Sequence, residues 1–142
     1  MKSSKPLVKK PLTQINTPQP CPCESGKPYS TCCQPYHQGL AAPTAQALMR
    51  SRYTAFALGL ESYLLDTWHP DTRPTALNLA DDPPTKWLGL QVKHSATIEP
   101  TKATVEFVAR YKIAGKAYRL HELSQFEHID GRWYYLTGEF NG

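Results

Sequence analysis

No stretch of this 142-residue chain approaches the ~20 consecutive apolar residues needed to cross a bilayer, which excludes a membrane-spanning helix. Also absent are a glycine loop of the phosphate-cradling kind and a G-x-S-x-G turn, so neither a nucleotide-binding loop nor a hydrolase elbow is encoded. Acidic residues are missing from residues 1–20, which hold Lys2, Lys5, Lys9 and Lys10 with four prolines and no helical or strand periodicity. With those lysines set aside, twelve of the sixteen basic residues remain against twelve acidic ones. The net charge of +4 therefore resides in the tail, and the balanced remainder argues against a nucleic-acid-binding face. Cysteine is absent outside residues 21–33. No secretory leader opens the chain, so a reducing, cytoplasmic setting is expected.

What is present begins with those cysteines. Cys21 and Cys23, then Cys32 and Cys33, bring two thiol pairs to either end of a short loop with turn chemistry at Gly26 and Pro28. A segment this short cannot offset the entropy of ordering itself and needs a staple. A tetrahedral site of four thiolates around Zn2+ fits best, with Lys27 supplying a positive charge beside a net-negative site. A disulfide between one member of each pair is the competing reading. His37, four residues after Cys33, is an alternative ligand ranked below it. A closed four-thiolate site lacks the open position of catalytic zinc, so this zinc is expected to be structural or partner-binding.

The run Cys21-Pro22-Cys23-Glu24-Ser25-Gly26-Lys27-Pro28-Tyr29 followed by Cys32-Cys33 resembles the SEC-C motif, the zinc-binding element at the C-terminus of the secretion ATPase SecA. Pro35-Tyr36-His37, the segment Leu48 to Phe56, Thr67-Trp68-His69-Pro70 and Gly131-Arg132-Trp133-Tyr134-Tyr135 extend the resemblance to the YchJ family of uncharacterised bacterial proteins. That resemblance implies a nuclear transport factor 2-like domain after the motif, a cone with a cavity between sheet and helices. It implies no activity. The expected division is a flexible basic tail at 1–19, the SEC-C motif at 20–39 and the cone-shaped domain at 40–142. None of the cysteines is expected in the domain's core, so the knuckle should be independent of it.

Periodicity supports the same α+β architecture. Thr44 is a good N-cap for a helix over 45–57, with Ala45, Leu48, Met49, Arg52, Tyr53 and Phe56 on its inner stripe. Gly59 breaks it, and a shorter helix follows over 60–67. After a proline-rich loop at 70–85 come four strand-like segments over 87–99, 102–113, 116–129 and 132–139. Two-residue separators join them, and Asp130-Gly131 is a strong type I′ hairpin pair. Four antiparallel strands curved round the helices close the fold.

In the third strand Tyr118, Leu120, Glu122, Ser124 and Phe126 share the inward face, which puts a carboxyl group on the core side. Arg52 is its expected ion-pair partner, with Arg50 second. The candidate pocket residues are Arg52, Tyr53, Trp68, His69, Glu122 and Ser124, with His69 read either as a proton-transfer residue at the cavity mouth or as a helix C-cap. His121 and His128 face opposite ways and His94 stands alone, so no histidine cluster binds metal. Three functions compete. The leading expectation is an adaptor, not an enzyme, that docks a protein partner through its zinc motif and carries a small-ligand pocket. A pocket-based enzyme or small-molecule binder comes next, then a ribosome- or RNA-associated protein. Self-association through the sheet is open to all three.

Overall fold

The computed structural model describes residues 19–81 and 83–140; the expected basic tail falls on residues that, apart from the exposed Gln19, lie outside this range. Among the described residues a short 3-10 turn (Tyr29–Thr31) and three α-helices, α1 (Gln34–His37), α2 (Ala45–Leu58) and α3 (Glu61–Asp66), precede four strands, β1 (Thr85–Glu99), β2 (Lys102–Ile113), β3 (Lys116–Ile129) and β4 (Arg132–Phe140). The strands form one antiparallel meander in chain order, an α+β fold. No helix among the described residues is long and apolar enough to cross a membrane.

Local chemistry sets the boundaries. The Thr44 hydroxyl accepts from Ala47 N at 3.0 Å to open α2, and Gly59 closes it in the left-handed region that a side chain disfavours. Ala114-Gly115 and Asp130-Gly131 both place two successive residues at positive φ, the geometry of two-residue hairpins whose twist matches the strands. The first of these tight turns fixes the register of β2 on β3 throughout, and the second fixes β3 on β4 as far as Phe126 and Tyr135, beyond which one irregularity at Gln125/Phe126 shifts the pairing. Three irregularities interrupt the pairing of β1 with β2, at Trp87/Gly89, Val92/His94 and Thr97/Glu99. Each extra residue increases the local twist, so the edge strand curls around α2.

Helix α2 packs against β1, β2 and β4, with Leu48, Met49 and Tyr53 meeting Leu90, Val105, Phe107 and Phe126. The opposite side of α2 is buried too. Ser51, Thr54 and Ala55 have no exposure, and the cysteine segment covers that side: Arg50 Nη1 donates to Cys23 O at 2.8 Å and His37 Nε2 to Ser51 O at 2.8 Å. Cys21, Cys23 and Cys33 belong to the same buried cluster as Leu48 and Met49. The expectation of a knuckle outside the domain's core is thereby corrected. A loop with so few apolar side chains of its own excludes water only by borrowing a face of α2.

Candidate functional site

The four cysteine sulfurs all lie within 4.8 Å of one another, and the cysteines are unbridged. Cys23 Sγ is 3.6 Å from Cys32 Sγ, which is 3.9 Å from Cys33 Sγ. Zinc–sulfur bonds of about 2.3 Å in a tetrahedron separate the sulfurs by about 3.8 Å, so these thiols are spaced for a four-coordinate metal. Cys23 is lowered to about 4, chiefly because the Cys33 thiol donates to it, and Cys33 is pushed upward in turn. Four thiols this close share protons rather than all ionise, and a divalent cation removes that conflict. Ser25 Oγ lies 3.0 Å from Cys32 Sγ, while Thr54 Oγ1 donates to Cys33 Sγ at 3.4 Å and lies 3.6 Å from Cys21 Sγ. Such hydroxyls orient thiolates from behind.

His37 takes no part in this cluster. Because its Nε2 donates to a carbonyl, its Nδ1 must accept from Tyr29 OH, 2.8 Å away, and burial depresses its pKa. Both ring nitrogens are thus spent on fastening the cysteine segment to α2, and the metal-ligand alternative is corrected.

The second candidate site is a cavity of about 250 Å³ between α2 and the sheet, lined chiefly by aromatic and aliphatic side chains. Arg52, Tyr53, Trp68, Glu122 and Ser124 all line it. Glu122 is 6% exposed, and its Oε2 accepts from Ser124 Oγ at 2.5 Å and Tyr135 OH at 3.2 Å. Its Oε1 has no hydrogen-bond partner among the described residues.

Arg52 does not pair with Glu122. Its guanidinium lies 5.0 Å from the Trp68 ring centroid and 4.7 Å from that of Tyr135, and Nη1 donates to Leu64 O and Thr67 Oγ1. Burial lowers its pKa to about 10, opposed by the neighbouring Tyr135, Tyr63 and Glu122, so it remains a cation at neutral pH. Cation–π contact and two oxygens satisfy this charge without the carboxylate. Arg50, the second expected partner, is turned to Cys23 O. The expected ion pair fastening helix to sheet is therefore absent, and one cation and one carboxyl group reach the cavity separately.

His69 leaves the pocket group. Asp71 N donates to its Nδ1 at 3.0 Å, so Nε2 carries the proton to Glu127 Oε1 at 2.7 Å. His69 N also donates to Tyr135 O, and Tyr135 N to Thr67 O, which ties this segment alongside β4. The imidazole fixes Trp68 over the cavity instead of opening into it. Trp68 Nε1 is buried without a partner among the described residues, and burial raises the pKa of Tyr53 to about 12, with Glu24 adding to the shift.

Sequence reasoning missed Tyr135, which touches both Arg52 and Glu122, and Trp87, whose ring lies 5.6 Å from Tyr53. The clue to Tyr135 was available. Counting back from the Asp130-Gly131 turn pairs Tyr135 with Phe126, an inward position.

Comparison with known proteins finds matches over two stretches of the chain. Residues 44–138 match the family described as the YchJ middle NTF2-like domain, and residues 18–35 match the SEC-C motif. A UPF0225 protein of Bordetella parapertussis is 53% identical over 137 residues, covering 93% of this chain and 98% of that one. Another from Ralstonia nicotianae is 52% identical over 130 residues, covering 84% and 90%. The solution structure of a SEC-C motif containing protein from Rhodopseudomonas palustris superposes with a TM-score of 0.77 at 38% identity, covering 86% of this chain and 98% of that chain. A crystal structure of another from Psychrobacter arcticus gives 0.71 at 32%, covering 86% and 82%.

Proposed function

The chain belongs to the YchJ-like family that joins a SEC-C motif to an NTF2-like domain, and from that premise we propose a small-molecule-binding protein whose cavity wall is held by a structural zinc site. The observation that carries this reading is Glu122. A carboxyl group 6% exposed that lines a 250 Å³ cavity, with one oxygen satisfied by two hydroxyls and the other without a hydrogen-bond partner among the described residues, is poised to accept a hydrogen bond from a guest. At about 250 Å³ the cavity lies just below the usual range of roughly 300–1,000 Å³ for ligand sites, which suits a guest of one or two rings.

Cys21, Cys23, Cys32 and Cys33 would hold the zinc, and the donor set of four soft sulfurs supports that metal over calcium or magnesium. With all four positions filled by protein, the ion ties the two ends of the loop together and to α2. It would serve the cavity indirectly, because α2 supplies Met49, Arg52 and Tyr53 to the wall. The adaptor reading rests on the SEC-C motif itself, and burial of three cysteines in the core leaves it the outer rim around Lys27, Ser30 and Thr31.

The test uses phenol and indole as probes, followed through the indole N–H resonances of Trp68 and Trp87. Saturable shifts that disappear in Ala109→Leu, which fills the cavity, are expected. No shift at millimolar concentrations of either probe would overturn the reading. Metal content of protein purified without added zinc, with a thiol count under denaturing conditions, tests the ion: one zinc and four reactive thiols per chain are expected.

A further inference from the structure

The register of the sheet collects charge that the composition averages away. Lys86 stands opposite Lys112, and Arg110 opposite Arg119, on the face turned away from α2, and all four side chains are exposed. Like charges placed directly across strands are destabilising, so two such pairs in adjacent rows need a reason other than stability. The rest of this face is treated differently. In the neighbouring rows His121 is held by Glu106 at 2.7 Å, and at the far end Lys102 meets Glu127 at 3.9 Å. None of the four cations has an ion pair within 4.0 Å or a side-chain hydrogen bond among the described residues. Glu24 reaches the edge strand at Gly89 without approaching any of them within that distance. The two remaining places in these rows are Gly89, opposite Arg110, and Ala117, opposite Lys112, so the rows themselves set only a methyl group between the cations, and the Glu24 carboxylate reaches in over Gly89.

We infer that this end of the sheet, built from Lys86, Arg110, Lys112 and Arg119, is a binding site for single-stranded nucleic acid. Four unpaired cations above a low floor match the repeating charge of a phosphate backbone, and the guanidinium forks of Arg110 and Arg119 suit phosphate oxygens. A second feature separates nucleic acid from an acidic peptide. On the other face of the same hairpin Tyr118 is 39% exposed, lies 5.3 Å from Tyr111 at an interplanar angle of 16°, and carries Lys116 Nζ 5.5 Å from its ring centroid. An exposed phenol stacked on a half-buried one, beside a cation, is a platform for a base, and successive stacking is how sequence-tolerant single-strand binders supplement charge. The overall balance of acidic and basic residues had argued against such a face, but balance does not require mixing.

Fluorescence polarisation of a labelled 20-nucleotide oligo-dT, and of oligo-U, with the full chain tests the site. Four phosphate contacts give a log–log salt slope of about −2.8, so raising salt from 50 to 200 mM weakens binding about 50-fold. Arg110→Gln with Arg119→Gln should halve that slope, weaken binding at 50 mM salt at least tenfold, and leave the melting temperature unchanged or raised, since a like-charge pair is relieved. Tyr118→Ala should weaken binding with the slope unchanged. Absence of binding at 50 mM salt overturns the inference. So does equal competition by poly-glutamate, which would make the face a site for acidic protein. It is also overturned if full-length protein with Lys2, Lys5, Lys9 and Lys10 replaced by glutamine loses binding while the Arg110/Arg119 variant keeps it.

Discussion

Glu122 occupies the space that a side chain on residue 138 would need. A β-carbon on Gly138 would collide with Glu122 Oε2 and lie 2.6 Å from its Cδ, so the carboxyl group rests directly on the β4 backbone. Gly138 pairs with Ser124, whose hydroxyl donates to the same Oε2. Gly138→Ala should therefore displace the carboxyl group and leave the Ser124 and Tyr135 hydroxyls short of their acceptor, costing roughly 1–3 kcal/mol by urea denaturation. Glu122→Ala should cost a similar amount because it orphans the same hydroxyls. A near-zero change for both would mean that these groups relax into water.

Placement of Cys21, Cys23 and Cys33 in the core shared with Leu48 and Met49 changes what a cysteine substitution should do. If the proposed zinc occupies the site, Cys23→Ser should release it and destabilise the whole domain by roughly 3–5 kcal/mol, through loss of the ion and exposure of one face of α2. The readout is coincidence: circular dichroism at 222 nm and the near-ultraviolet signal of Trp87 should fall in one transition. A domain that melts unchanged after metal loss would restore the independent knuckle expected from sequence.

Thr44, Gly59 and Asp130-Gly131 were readable as boundaries because capping and turn geometry depend on a few adjacent residues. The inward face of β3 was readable for a similar reason, since alternation needs only one strand. Arg52 and Glu122 were each assigned the correct side, but the sequence held no measure of the distance between them, and Trp68 and Tyr135 satisfy the guanidinium instead. The second buried side of α2 was hidden by its chemistry. Ser51 and Thr54 are small polar residues that look solvent-facing until a loop 18 or more residues away is laid on them. The paired cations of β1, β2 and β3 emerge only once register is known, because Lys86 and Lys112 lie far apart in sequence.

Thr54 offers a finer test of the cysteine site. Thr54→Val keeps the shape but removes the hydroxyl that donates to Cys33 Sγ and approaches Cys21 Sγ. Groups that orient metal ligands typically change affinity 10- to 100-fold, so competition with a chromogenic chelator should show zinc lost at least tenfold more readily. An unchanged affinity would reduce Thr54 to a packing residue.

Glu61 gives the fold a pH dependence remote from both sites. Its carboxylate accepts from Leu79 N and Leu77 N, each at 3.0 Å, and clamps the loop around Asn78, which holds a positive φ of 57°. The Leu79 amide and then the Leu77 amide lower its pKa from the ordinary 4.5, because both stabilise the charged form. A carboxylate with a depressed folded-state pKa contributes stability that is fully present above pH 4.5 and is lost as pH falls through the lower folded value. The Leu77 and Leu79 amide resonances should therefore titrate together with a midpoint below 4.5, and Glu61→Gln should abolish that titration. A midpoint at or above 4.5 would mean that the clamp is open in solution and that the loop preceding β1 is held by other contacts.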